Sequence, residues 1–352
     1  MDLFLSDLAS PVHYDTFHHN VLVSNFSKQL SISSYVIVKN LPIFSMTLTC
    51  NPSLVVIGGG DKVVRVCRHS AFNKQSILQS FPGHVRSPLF TCFHPSLPLV
   101  ATADVTGFIR IFDVTSLFVF SEFSIASIPK TISFYSGMDI IGIFVVYSTT
   151  VRLVKFDKSR RMTTLDFNPL PLLPTSTVTV LHQVDNLIYL YTCHNSIFRI
   201  FTYSFDSNFG ANNSWHMFAS GDCCLTGLKP AIFHSNYLYY FDRNSVFKRL
   251  NLLNFQQVEL FSLNQKQLLA NGYYVVPIPN SQYFCLVYKY LPSTFQQKIS
   301  FLIVIFDLLT LKVVTTFEFS GIINSVVALA CGSILIGDSI GNLTCISTRN
   351  LL

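Results

Sequence analysis

Charge is what this 352-residue chain has least of. Asp, Glu, Lys and Arg together make up 12% of it, about half the share of an ordinary soluble domain. With 50% hydrophobic residues beside so little charge, a disordered chain is excluded, because there is more apolar surface to bury than folding needs. The balance of 24 Lys+Arg against 18 Asp+Glu, a net +6, is too mild to announce a nucleic-acid binder by itself. Long apolar runs are lacking too. The longest stretches without a charged residue, 41–60, 267–288 and 319–337, are cut by Pro42 and Pro52, by Pro277 and Pro279, and by Gly332-Ser333. None offers the about 20 apolar residues a membrane span requires, so no transmembrane segment is expected. The first residues include Asp2 and Asp7 where a secretion signal carries base. An intracellular protein, cytoplasmic or nuclear, is the expectation.

The signatures of chemistry are missing as well. Gly58-Gly59-Gly60-Asp61 has neither the Lys nor the following helix of a phosphate-binding loop. No Gly-x-Ser-x-Gly or His-Glu-x-x-His occurs, and the nine cysteines form no Cys-x-x-Cys pair of metal spacing. Acids and histidines are scattered along the chain. No catalytic residue, cofactor or metal site is predicted, and the chain reads as a non-enzyme unless acids or histidines converge in space. The cysteines sit in apolar runs and read as reduced core thiols. Cys223-Cys224 stands apart, since neighbours on a strand point to opposite faces.

What is abundant is Phe, with 33 residues, and with it Val, Ile, Tyr and Thr in short runs broken by Gly, Asn, Ser and Pro. Strands are therefore expected throughout. One phrase recurs, a strand that climbs from a polar turn to an apolar residue, often followed by Asp. It reads Arg65-Val66-Cys67-Arg68, Arg110-Ile111-Phe112-Asp113, Val154-Lys155-Phe156-Asp157, Arg199-Ile200-Phe201-Thr202, Lys248-Arg249-Leu250-Asn251, Val304-Ile305-Phe306-Asp307 and Thr344-Cys345-Ile346-Ser347. Successive phrases end 40 to 56 residues apart, most of them near the 40–45 residues of a four-stranded propeller blade. The two longer intervals are assigned to loops at residues 206–214 and 290–298.

The fullest unit, residues 83–125, opens with Gly83-His84, continues through Thr102-Ala103-Asp104 and Gly107, and closes with Phe112-Asp113. It resembles the WD40 repeat, and Gly337-Asp338-Ser339-Ile340-Gly341 echoes its central part. The resemblance implies a single all-β propeller of about seven blades. It also implies structural roles for Asp61, Gly83, His84, Thr102, Asp104, Phe112, Asp113 and Asp338. Phe112 stands where the family has Trp, and Thr106 where it has a turn Asp. The expected division is an N-terminal extension, 1–30, and a propeller, 31–352. Its blades fall near 41–82, 83–125, 126–173, 174–219, 220–264, 265–319 and 320–352, the last completed by residues 33–40. That strand closes the ring and removes an exposed edge.

Two features point outward. Lys155, Lys158, Arg160 and Arg161 crowd into seven residues, either as a solvated turn or as a patch for phosphate; the repeated aromatic interleaving used by single-stranded nucleic-acid sites is absent around them. Trp215, the single tryptophan, is either an interface anchor or a residue packed on a neighbouring blade. The function read from all this is a non-catalytic scaffold subunit that binds other protein subunits. The alternative is an RNA-associated subunit of a processing or modification complex, using the basic loop.

Overall fold

The computed structural model describes residues 31–69, 76–125, 127–135, 141–147, 150–157, 160–167, 178–204, 215–224, 228–262, 270–290 and 300–347. These hold 28 strands in seven four-stranded antiparallel sheets. The first strand, β1 (Ser31–Val36), belongs to the last sheet. Blade 1 is β2 (Ile43–Leu48), β3 (Leu54–Gly59), β4 (Val64–Arg68) and β5 (Ile77–Phe81). Blade 2 is β6 (Pro88–Phe93), β7 (Leu99–Asp104), β8 (Phe108–Asp113) and β9 (Phe118–Ser124). Blade 3 is β10 (Thr131–Phe134), β11 (Ile141–Val146), β12 (Val151–Phe156) and β13 (Met162–Asp166). Blade 4 is β14 (Val178–Val184), β15 (Leu187–His194), β16 (Ile197–Ser204) and β17 (His216–Asp222). Blade 5 is β18 (Ala231–His234), β19 (Tyr237–Phe241), β20 (Phe247–Asn251) and β21 (Gln257–Phe261). Blade 6 is β22 (Ala270–Pro277), β23 (Tyr283–Tyr290), β24 (Ser300–Asp307) and β25 (Lys312–Ser320). Blade 7 is β26 (Ile323–Ala328), β27 (Ile334–Asp338) and β28 (Asn342–Ser347), with β1 as its outermost strand.

The first strands of consecutive blades touch one another in turn, from β2 through β26 and back to β2. The ring is therefore closed. Every recurring phrase of the sequence falls on or at the end of the third strand of a blade. Its apolar positions are buried because the third strand packs against blades on both sides. The acid or amide that ends the phrase has its own reason. Asp113 accepts the N–H groups of Thr115 and Ser116 at 2.8 and 3.0 Å, Asp307 that of Leu309 at 2.9 Å, and Asn251 that of Leu253 at 2.8 Å. A short polar side chain there folds the turn into the fourth strand.

Closure follows the expected route with a shifted register. The closing strand is Ser31–Val36, paired antiparallel with β28 from Ser31↔Ser347 to Val36↔Asn342. Ile37 and Val38 leave the strand and are buried, their N–H groups reaching the Gly341 carbonyl at 2.9 and 3.1 Å. Gly341 has φ 88°, and a Cβ there would lie 1.6 Å from the Val38 carbonyl oxygen. Only glycine allows the chain to pass so close. Residues 1–30 and most of both long-interval loops lie outside the described residues. Among the described residues no helix is long and apolar enough to cross a membrane.

Candidate interaction surface

In an antiparallel blade the first-to-second and third-to-fourth turns share one face, and the remaining connections share the other. The large apolar residues that remain exposed concentrate on the first of these faces. Among the described residues Leu309 is 76% exposed, Phe118 72%, Leu253 71% and Met217 62%; Phe255, Leu311 and Met162 follow on the same face, while Val36 and Val85 lie at connections on the other. Six of the seven on the first face lie in or beside third-to-fourth turns, of blades 2, 3, 5 and 6, and Met217 begins the fourth strand of blade 4. Four of those turns also hold a non-glycine residue in the left-handed region: Leu117 (φ 59°), Arg160 (φ 63°), Phe255 (φ 61°) and Leu311 (φ 55°). That backbone is costly for a bulky side chain, by about 1–2 kcal/mol. At Phe255 and Leu311 an apolar residue is thus held outward where glycine would be easier.

The basic cluster is divided by the fold. Lys155 lies on β12, half-buried, and burial lowers its pKa. Arg160 and Arg161 are exposed in the turn that follows, and the Asp157 carboxylate accepts the Arg161 N–H at 2.8 Å. Lys158 lies outside the described residues. Phe156, within the cluster in sequence, is buried, and an aromatic neighbour for the exposed cations comes from another blade. The Arg160 guanidinium stands 4.8 Å over the Phe120 ring of β9. Together with Phe118, Val119, Asp113 and Ser116 it lines a groove of about 480 Å³ between blades 2 and 3.

Trp215 is 8% exposed and packs on Tyr203 at 5.1 Å, within a core that includes Phe144, Phe167 and Leu181. It is a core residue between blades 3 and 4, and it takes no part in the exposed face. As a tryptophan, a residue type common at interface anchors, it is a candidate from sequence; its burial fits the alternative of packing on a neighbouring blade.

The WD40-like residues gather mostly in blade 2. His84 and Asp104 are buried. His84 Nε2 stands 2.8 Å from the Thr102 hydroxyl, and its Nδ1 3.4 Å from Asp104 Oδ2. A carboxylate only accepts, so Nδ1 carries the hydrogen and Nε2 accepts from Thr102. Burial lowers the His84 pKa against the pull of Asp104. For Asp104 burial acts upward, but bonds from Thr106, Arg86 and Phe108 outweigh it and hold the carboxyl below its ordinary value. The turn acid missing at Thr106 is thus supplied by Asp104, two residues earlier. Asp338 does the same for Ile340 and Asn342, at 3.0 and 2.8 Å. Asp242, not recognised from the sequence, does it for Asn244 and Val246 at 2.8 and 3.0 Å. A signal was present: Asp104, Asp242 and Asp338 each stand nine residues before the end of their phrase.

The remaining members are local. Phe112 is buried against Phe81 of blade 1, ring centroids 4.6 Å apart. Asp61 pairs with Arg65, and Gly83 sits at φ 117° against the Arg110 guanidinium. Among the described residues, none of the seven first strands that wall the channel contains Asp or Glu. His182 and His234, on β14 and β18, have their pKa values lowered by burial. Among the described residues no group of three or more His, Cys, Asp or Glu is placed to hold a metal.

No family model and no curated protein matches the chain. Solved structures do. The Cps50 (Swd1) β-propeller domain of Myceliophteria thermophila superposes with a TM-score of 0.66 at 8% identity, covering 90% of this chain and 99% of that one. U3-55K superposes with a TM-score of 0.60 at 10% identity, covering 90% and 98%. At such identities the likeness is one of fold. The chain is a seven-bladed β-propeller, closed in the WD40-like manner by its N-terminal strand.

Proposed function

We propose that the chain is a non-catalytic scaffold subunit of an intracellular protein complex, cytoplasmic or nuclear, and that a protein partner sits on the third-to-fourth-turn face. The observation that carries this reading is the exposure of Phe118, Leu253, Phe255, Leu309 and Leu311 on that one face. Exposed apolar side chains on a rigid frame have no chemistry to offer. They gain only by being covered, at about 25 cal/mol per Å² removed from water. Arg160, 4.8 Å over Phe120, adds a cation at the groove's edge that would take an acidic side chain of the partner.

The test uses the full chain. Wild-type protein should associate with rising concentration in light scattering. The triple variant Phe118→Glu, Leu253→Glu, Leu309→Glu should keep its Tm, remain monodisperse and lose the partner protein that co-purifies with wild type. A wild-type monomer at about millimolar concentration, with no dye-binding apolar surface, would sink the reading. So would a triple variant that retains the partner.

A second reading, an RNA-associated subunit of a processing or modification complex, draws on the same groove. Arg160 stands over half-buried Phe120 and lines the groove with exposed Phe118, both of the preceding blade, a pairing of cation and stacking surface used for single strands. Titration of a labelled single-stranded oligoribonucleotide at several salt concentrations separates the two. Phosphate contacts give a steep loss of affinity with salt, and apolar protein contacts do not.

A further inference from the structure

Most of the nine cysteines behave as the sequence suggests, buried or half-buried among apolar neighbours. Cys223 and Cys224 diverge as neighbours on an extended chain must. Cys223 enters the core between blades 4 and 5, with Tyr191, Phe198 and Tyr240. Cys224 enters the core between blades 5 and 6, with Tyr239, Phe247 and Phe284. Cys223 then meets a thiol 30 residues away: its Sγ lies 2.7 Å from the Sγ of Cys193. That is nearer than the about 3.5–4.0 Å of non-bonded heavy atoms and longer than the about 2.05 Å of a sulfur–sulfur bond.

Both ends of the contact are held by backbone. Cys193 is on β15, in register with Val178 and Phe198. The Cys223 N–H donates to the Ser196 carbonyl at 2.8 Å, just past the end of β17. Neither side chain is exposed. Cys193 also stands nine residues before the end of its phrase, the position occupied by Asp104, Asp242 and Asp338 in blades 2, 5 and 7. Blade 4 therefore has sulfur where three other blades have a turn-holding carboxylate.

We infer that Cys193 and Cys223 are an oxidisable pair that closes to an intrachain disulfide, taking a small-molecule disulfide as oxidant. One cysteine thiolate attacks that disulfide, forming a mixed disulfide and expelling one thiolate. The second cysteine thiolate attacks the protein-bound sulfur, forming the Sγ–Sγ bond and expelling the other. The two cysteine protons end on the two expelled thiolates. Two protein thiols and one disulfide thus give one protein disulfide and two free thiols. The bond ties the second strand of blade 4 to the connection into blade 5. Contact with Cys193 and burial both push the Cys223 thiol up, so closure is slow at neutral pH and faster as pH rises.

The test takes the full chain, reduced and then incubated with oxidised glutathione over a range of ratios and pH. Free thiols are alkylated after unfolding, followed by intact mass and peptide mapping. The expected product carries two alkyl groups fewer than the reduced chain, contains a Cys193–Cys223 cross-linked peptide, and melts a few degrees higher until a reductant restores the original curve. Cys224→Ala should give the same product, while Cys193→Ala and Cys223→Ala should not. Mapping the wild-type chain decides the matter even where a variant does not fold. A chain whose cysteines all remain alkylatable, or one that links Cys223 to Cys224, overturns the inference.

Discussion

Blades 2 and 4 reach the same four-stranded sheet by different means. Blade 2 holds its turn between second and third strands with buried polar groups. Asp104 takes the N–H groups of Arg86, Thr106 and Phe108, and His84 links it to Thr102. Among the described residues blade 4 shows no His, Thr and Asp set of this kind. Its two-residue turn, Asn195-Ser196, adopts φ 50° and 61°, the left-handed pair that suits a twisted hairpin. Behind it Phe198 stacks on Tyr191 at 5.7 Å and meets Tyr240 at 4.9 Å. A blade can thus lose the whole hydrogen-bonded motif and keep its geometry, provided aromatic rings fill the space and the turn adopts its form without a carboxylate.

The largest effect should come from the packed blade. Phe198→Ala should cost about 3–5 kcal/mol in denaturant melts, because the ring is fully buried and its cavity is lined by other rings that cannot collapse. Asp104→Ala should cost about 3 kcal/mol, since it leaves the buried ring of His84 and the N–H groups of Arg86, Thr106 and Phe108 without their acceptor. If Asp104→Ala proved nearly silent, blade 2 would also be held by packing, and the contrast between the blades would vanish.

Acid should discriminate further. The folded-state pKa of His84 is depressed by burial, so the unfolded chain binds a proton first as pH falls below about 6.5. Its stabilisation is present above that pH and lost below it. Asp104, also depressed, contributes above the ordinary carboxylate range and is lost as pH falls through its lower folded value. His84→Gln should therefore flatten the decline in Tm between about pH 6.5 and 5 relative to wild type, leaving the part due to His94, His182 and His234. An unchanged slope would remove His84 from the account. The smallest effect belongs to the surface: Arg160→Ala with Arg161→Ala should shift stability by about 0.5 kcal/mol or less. A larger loss would mean that the contact of Arg160 with Phe120 holds blades 2 and 3 together.

The two apolar runs Leu117-Phe118-Val119-Phe120 and Phe301-Leu302-Ile303-Val304-Ile305 look alike in one dimension. Phe118 is 72% exposed, whereas Phe301, Ile303 and Ile305 are fully buried. One begins a fourth strand at the rim and the other is a third strand between blades, a distinction that depends on place in the blade. Asp242 was legible by its spacing and obscured by the aromatic run Tyr237-Leu238-Tyr239-Tyr240-Phe241 before it. The companionship of Arg160 with Phe120 was not legible, because the two are 40 residues apart and on different blades.

By itself the sequence determined the repeat, the all-β class and the closing strand. The first two follow from alternation within a strand, from turn residues at short range, and from a spacing that repeats down the chain, and the closing strand from the resemblance to the WD40 repeat. The tertiary structure decided which apolar residues stay outside, that Trp215 goes inside, and that Cys193 meets Cys223. Those outcomes depend on which neighbour the ring brings to each blade edge, and burial is a property of that neighbour as much as of the residue.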